Sequence, residues 1–145
     1  MRAVEAIAPG RAGVLRRRDC RAIVVSNHWK HWVCLIPQHG PGRKHTRPIV
    51  LTDWQRRIVS DCPEAFLRGL IHSDGTRIIA TERKGAYVRR APRYAFSNRS
   101  EDILELFRSA CETAGVHCTR SSVKQISVYS KAAVARLDEF VGPKC

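Results

Sequence analysis

The sequence predicts an α+β fold in which helices cover one face of a four-stranded antiparallel sheet, in the order αββαββα. Three observations carry this. From residue 61 onward, three stretches with apolar residues at helical spacing alternate with two pairs of strand-like stretches. Each helical stretch opens on a capping residue and closes on glycine. The chain has 145 residues, 43% apolar and 27% charged, which is room for one modest domain with a core and too little for a multidomain machine.

Residues 1–20 carry Gly10, Gly13 and the triplet Arg16-Arg17-Arg18 with little apolar periodicity, and are expected to be a disordered basic arm. Residues 21–57 begin with two β-rich runs, 22–26 and 32–36, split by a polar and aromatic turn, which predicts a short hairpin. Gly, Pro, His and basic side chains then concentrate in 38–47, a linker in which neither helix nor strand is expected. The main domain is expected over 58–145. Asp61 should cap its first helix, with Pro63 in the first turn and Gly75 closing it in a left-handed conformation. Strands follow at 76–83 and 87–97, joined by Lys84-Gly85. Ser100 opens the second helix, whose stripe runs Ile103, Leu104, Leu106, Phe107, Ala110, Cys111, Ala114 before Gly115. Strands at 116–120 and 124–130 lead to a last helix over 131–141, capped by Ser130 and stopped by Gly142-Pro143.

Charge points to a partner. Lys and Arg number 26 against 13 acids, giving +13 and a pI near 10.3, a field that calls for a polyanion. Residues 1–57 hold 12 basic side chains against 3 acids, and residues 76–99 hold 7 against Glu82 alone. Strand alternation is expected to put Arg77, Ile79, Thr81 and Arg83 on the open face of the sheet, with Ile78 and Ala80 toward the helices. Arg89 and Arg93 should project opposite Tyr94 and Phe96, and Gln125, Ser127 and Tyr129 should line the last strand's open side. With Lys84 and Arg90 nearby, such a surface can neutralise the phosphates of double-stranded DNA and offer donors to base edges in the major groove. A merely solvated charged face is the alternative. Arg43 and Lys44, in the linker, read as further phosphate contacts. No run approaches the roughly 18 apolar residues of a membrane span and no secretory segment opens the chain. The expectation is a cytoplasmic, nucleoid-associated protein without membrane contact.

The six cysteines (Cys20, Cys34, Cys62, Cys111, Cys118, Cys145) include no CxxC pair, so they are expected to be reduced thiols, mostly buried. His28, His31, Cys34, His39 and His45 form a looser cluster that could supply zinc ligands, although Trp29 and Trp32 suggest simple packing instead.

Asp74 lies at the end of FLRGLIHSDG, where the helix dipole disfavours an anion by about 0.3–1 kcal/mol. A divalent cation such as Mg²⁺ would compensate it; an ordinary Asp-Gly turn is the alternative. Gly69 and Ser73, one helical turn apart, can let a second helix approach closely, or Gly69 can face the domain's own sheet. Leu67-Arg68-Gly69-Leu70-Ile71-His72-Ser73-Asp74-Gly75 resembles the signature of the LAGLIDADG homing endonucleases, and the element order over residues 60–142 resembles that family too. The resemblance implies Asp74 as ligand of a catalytic Mg²⁺, Gly69 and Ser73 as the helix interface, Lys124 as a basic residue near the scissile phosphate, and sheets that lie along DNA. His72 departs from the acid often found at its position. No second signature precedes residue 67, and 21–57 resemble the tail of a first half-domain. The resemblance therefore implies a homodimer, or the second half of a longer protein. A non-catalytic transcriptional regulator of the same fold, or a degenerate nuclease fragment, is the rival reading.

Overall fold

The computed structural model describes residues 2–10, 12–18, 23–36, 38 and 40–143. The chain divides into two compact units, Met1–His39 and Gly40–Cys145.

The first unit holds helix α1 (Arg2–Ile7), strands β1 (Ala12–Arg16) and β2 (Ile23–Asn27), and a four-residue helix α2 (Trp32–Leu35). This corrects two expectations. The arm read as disordered contains a helix and a strand, and β2 pairs with β1, from Ala12 opposite Asn27 to Arg16 opposite Ile23, instead of with residues 32–36. The reason is local. The Asn27 side chain accepts from the Trp29 amide (2.8 Å) and from Trp32 Nε1 (2.7 Å), a turn that coils the chain so that Cys34 and Leu35 donate back to the His31 carbonyl. Trp29 meets Trp32 edge-on at 5.7 Å.

The second unit begins with a 3₁₀ turn at Lys44–Thr46, inside the stretch expected to be a plain linker, and helix α3 (Asp53–Asp61). Helix α3 was legible but not expected: Thr52-x-x-Gln55 has the capping-box spacing, and Gln55 Oε1 accepts from the Thr52 amide at 3.0 Å. Asp61 is therefore the last residue of α3 and not the cap of the next helix. Pro63 divides the two helices, because it has no N–H and pushes Cys62 out of helical geometry (φ −131°, ψ 55°). Helix α4 (Pro63–Asp74) then passes directly into β3 (Gly75–Lys84). Strand β4 (Tyr87–Ser97), helix α5 (Glu101–Thr113), β5 (Thr119–Ser122), β6 (Gln125–Val128) and helix α6 (Lys131–Val141) complete the order αββαββα from residue 63.

The sheet is antiparallel throughout, in the order β3-β4-β6-β5. Ten residue pairs join β3 to β4 around Gly85, whose φ of 58° suits a primed two-residue turn. Ser100 and Ser130 cap α5 and α6 by accepting from Ile103 (3.5 Å) and Ala133 (3.2 Å), as expected from their types. The core lies between one sheet face and three helices. Leu67 and Ile71 of α4, Leu104, Phe107 and Cys111 of α5, and Val134 and Leu137 of α6 close over Tyr94, Phe96, Ile126 and Val128. Phe96 and Phe107 stack at 4.4 Å. Each such side chain contributes roughly 1.5–3 kcal/mol on burial. Among the described cysteines, Cys111 is buried and Cys118 half-buried, but Cys34 and Cys62 are exposed, against expectation; Cys20 and Cys145 lie outside the described residues. No helix among the described residues is long and apolar enough to cross a membrane.

Candidate nucleic-acid interface and cleft

Asp74 ends α4, and Gly75 starts β3 without a loop. Gly75 is not left-handed as expected but extended (φ −95°, ψ 166°). Its need for glycine is steric, since a Cβ there would stand 2.7 Å from Ile71 Cα and 2.9 Å from Ile71 O. This junction sets Asp74 in a cavity of about 420 Å³ lined also by His45, Ile49, Ser97, Asn98, Arg99, Ser100, Ile103 and Lys124. Two residues 50 positions apart, Asp74 and Lys124, are thus brought together. Lys124 lies in the turn between β5 and β6 and not at a strand start.

Asn98 organises the cleft and was missed in the sequence. Its Nδ2 donates to Asp74 Oδ2 (3.2 Å), its amide donates to the Lys124 carbonyl (3.0 Å), and its Oδ1 accepts from Ser100 N (2.9 Å). The readable signal was Asn-x-Ser before a helix, an Asx turn that leaves the side-chain amide free to donate. Asp102, in the first turn of α5, accepts from the Ile49 amide (2.7 Å), which ties the segment carrying His45 to this unit. Asp74 is the acid lining this cavity, with Lys124 and Arg99 among its basic lining residues.

Among the described residues, no group of three or more His, Cys, Asp or Glu converges as a metal site. Of the residues read as possible zinc ligands, Cys34 is exposed. His31 lies against the Trp29 ring at 5.1 Å, His45 lines the Asp74 cavity, and His39 is outside the described residues.

Helix α4 turns Leu67 and Ile71 inward and leaves Ala65, Gly69 and Ser73 exposed at four-residue spacing. Nothing lies within 4 Å of where a Gly69 Cβ would be, so Gly69 does not face its own sheet. Ser73 bonds back to the Leu70 carbonyl (2.9 Å). His72 is half-buried, its Nε2 2.9 Å from the Val141 carbonyl of α6.

The alternation expected for β3 is reversed. Arg77 pairs in register with Tyr94, a core residue, and both reach Asp138 of α6: Arg77 Nε and Nη2 donate at 2.8 Å each, and the Tyr94 hydroxyl donates at 2.6 Å. Arg77, Ile79, Thr81 and Arg83 therefore share the helix side, and Thr76, Ile78 and Ala80 share the open side. Both sides of the hairpin's far end still meet solvent, since Ile79 is 53% and Val88 52% exposed, as are Thr81, Arg83 and Arg90. Arg89, Arg93, Gln125 and Ser127 lie at open-face positions. The side chains of Lys84 and Lys44 lie outside the described residues, and Arg43 is exposed.

Two groups of arginines differ in their partners. Arg56, Arg77, Arg108, Arg120 and Arg136 form ion pairs with Asp53, Asp138, Glu105, Glu101 and Glu64. Arg83, Arg89, Arg90 and Arg93 pair with no other described acid, and Arg93 Nε is buried without a hydrogen-bond partner among the described residues. A β-bulge at Ser121, which alternation could not reveal, adds hydroxyls beside the expected donors. Ser121 Oγ meets Ser127 Oγ (2.9 Å), Gln125 Nε2 donates to Ser127 Oγ (3.5 Å), and Thr119 meets the Tyr129 hydroxyl (3.1 Å).

Burial, with the hydrogen bond to Asp138, pushes Tyr94 up from 10.0 to about 12, and the Arg77 guanidinium holds Asp138 below its usual range. A raised phenol stabilises the fold fully below pH 10.0, and that stability is lost as pH rises through about 12. Thermal melts followed by circular dichroism are expected to show an alkaline fall in stability that Tyr94→Phe removes. An identical fall in both proteins would contradict the assignment.

No protein-family profile matches the chain, and no curated protein matches its sequence. In structure it is similar to homing endonucleases. The archaeal intron-encoded homing endonuclease I-Vdi141I, complexed with DNA, is 17% identical with a TM-score of 0.43, over 56% of this chain and 54% of that one. The LAGLIDADG homing endonuclease I-GzeII, in complex with its DNA target, is 18% identical with a TM-score of 0.40, over 54% of this chain and 27% of that one. The chain thus spans about half the length of the first and about a quarter of the second.

Proposed function

We propose that the chain is a LAGLIDADG-type DNA-binding protein that cuts both strands of duplex DNA with Mg²⁺ when two signature helices pair. The second helix comes from another copy, or from a first half-domain of which 21–57 are the remnant. The observation that carries this is the coincidence of an uncovered Gly69 face on α4 with an exposed Asp74 at the same helix's end, in one cavity with Lys124. Pairing along Ala65, Gly69 and Ser73 would bring two such carboxylates together.

Mg²⁺ takes one or two carboxylates and fills its other positions with water and phosphate oxygen. Asp74 supplies one, so a single copy fits the ion only in part. When bound, such an ion polarises the phosphodiester. Asn98 holds the Asp74 carboxylate in place, and Lys124 puts positive charge beside the phosphate under attack. Arg83, Arg89, Arg90 and Arg93 grip phosphates, and Gln125 and Tyr129 offer donors to base edges, while Ser127, expected to join them, is buried beneath Ser121 and Gln125. An intracellular, nucleoid-associated location follows from this reading.

If each of those four arginines neutralises one phosphate, a rise from about 50 to about 200 mM salt should cost on the order of 100-fold in affinity per protomer. Fluorescence anisotropy with labelled duplex checks this, and an affinity indifferent to salt sinks the electrostatic grip. For the pairing, Gly69→Leu is expected to abolish the dimer in sedimentation while raising fold stability by about 0.8–1 kcal/mol, because glycine is a poor helix former. A dimer that survives the leucine places the seam elsewhere.

Asn98 already meets part of the Asp74 carboxylate's demand without a cation. This favours a second reading, a non-catalytic transcriptional regulator of the same fold or a degenerate nuclease fragment. Incubation of duplex DNA with the protein and Mg²⁺ or Mn²⁺ separates them: breakage of both strands supports the nuclease, and binding without breakage supports the regulator.

A further inference from the structure

We propose that Arg120 is a positioning residue for the cleft: its guanidinium clamps the β5–β6 turn onto the first turn of α5 and so fixes Lys124 beside Asp74, a role that rests on reading those two residues as parts of one phosphodiester site. The turn does not hold itself. Ser122 pairs in register with Gln125, which leaves Val123 and Lys124 as a two-residue hairpin turn. The favoured turns of that length take positive φ at one or both positions, supplied by glycine or asparagine, because their twist then matches that of the strands. Here the two residues are a β-branched valine and a lysine, and no non-glycine residue among those described has a positive φ. The bulge at Ser121 disturbs the ladder just before the turn, and Val123, 78% exposed, does not anchor it by burial.

Arg120 supplies the missing hold. Its Nε donates to the Ser122 carbonyl (3.2 Å), and Nη2 donates to the Val123 carbonyl. The same guanidinium meets the Glu101 carboxylate, Nη1 on Oε1 and Nη2 on Oε2 (2.7 Å for the second). A planar fork of five N–H donors serves acceptors on two elements at once, which the compact ammonium of a lysine does not. Glu101 follows directly on Ser100, the cap of α5. From the other side of the turn, the Asn98 amide donates to the Lys124 carbonyl (3.0 Å), and the Lys124 amide donates to Ser122 Oγ (3.3 Å).

Asn98 is also the donor to Asp74 Oδ2, so one corner of the chain carries both the lysine and the partner of the acid. Arg120 closes that corner. An ion pair between two such partly exposed side chains adds little to stability, about 0–1 kcal/mol, so what it contributes is geometry. Geometry matters here because a misplacement of about 1 Å among groups that act on a reacting phosphate can cost roughly 100-fold in rate.

The test uses Arg120→Lys, which keeps the charge and loses the fork, in the full chain. Amide exchange followed by NMR, with neither DNA nor metal present, is expected to be about tenfold faster at Asn98 and Lys124, with Val134 of α6 unchanged. Glu101→Gln, which leaves Arg120 its two carbonyl bonds, should raise the same two rates by a smaller factor. With Mg²⁺ and saturating duplex, Arg120→Lys should cut about 10- to 100-fold more slowly, while its Kd for duplex stays within about twofold. Because Arg120 acts through Lys124, Lys124→Ala alone should cost as much rate as Lys124→Ala and Arg120→Lys together. Unchanged exchange at both amides, additive losses in the double variant, or a loss of affinity as large as the loss of rate overturns the proposal. If the unsubstituted protein leaves DNA intact under every divalent metal, the nuclease reading fails, and the exchange rates alone decide whether Arg120 holds the turn.

Discussion

Replacing Asp74 with asparagine is expected to reduce Mg²⁺-dependent cleavage of duplex DNA by more than about 100-fold while leaving DNA affinity unchanged or slightly higher. A carboxylate that helps hold the ion underwrites several kcal/mol of stabilisation of the developing charge, and each 1.36 kcal/mol is about tenfold in rate. Affinity should not fall, because Asp74 is the cavity's acid and its charge repels phosphate. The fold should also survive. A carboxylate at the negative end of α4 is disfavoured by the helix dipole, and an asparagine oxygen can still accept from Asn98 Nδ2. Activity, anisotropy and melting measured on one preparation separate the three effects. Equal cleavage by the two proteins would remove Asp74 from the reaction.

Gly75→Ala is expected to destabilise the second unit by about 2–3 kcal/mol, a cost in the upper range for overpacking. At Gly75 the obstacle is backbone, the Cα and carbonyl oxygen of Ile71, so a rotamer change cannot relieve it. For a unit of this size the loss corresponds to roughly 10 °C in melting temperature. Asp74 should move with the junction, so cleavage would suffer even in the folded fraction. A melt like that of the unsubstituted protein would show that α4 and β3 can separate freely. A glycine just past a helix commonly takes a left-handed turn, which foresees a positive φ there. The observed φ of −95° is open to any residue, and the constraint is space.

Much of the second unit was legible because its signals are local. Ser100, Ser130, Gly115 and Gly142 mark helix ends by side-chain reach and by backbone freedom at positive φ. The strands from 75 to 97 follow from β-rich runs around a glycine turn. Helix α3 was equally local and lay in the Thr52-x-x-Gln55 spacing, within the 21–57 stretch read as a hairpin and basic linker. The first unit resisted for a different reason. The runs near 22–26 and 32–36 are adjacent and apolar, but one Asn27 side chain diverts the second into a helical turn and frees the first to pair backward with β1.

Composition and local pattern alone settled the αββαββα order, the excess of positive charge and a helix that ends in an aspartate before glycine. Contacts between residues far apart in the chain decided which way β3 faces. Strand β3 has isoleucine at both 78 and 79, so alternation could not choose its buried side. Asp138, on a helix about sixty residues later, chose it by binding Arg77 and Tyr94. The cleft likewise exists only because the Asn98 corner, the β5–β6 turn and the segment from His45 to Ile49 converge on the end of α4. Periodicity describes a chain one turn or one strand at a time, whereas charge pairing and burial act across whatever the fold makes adjacent.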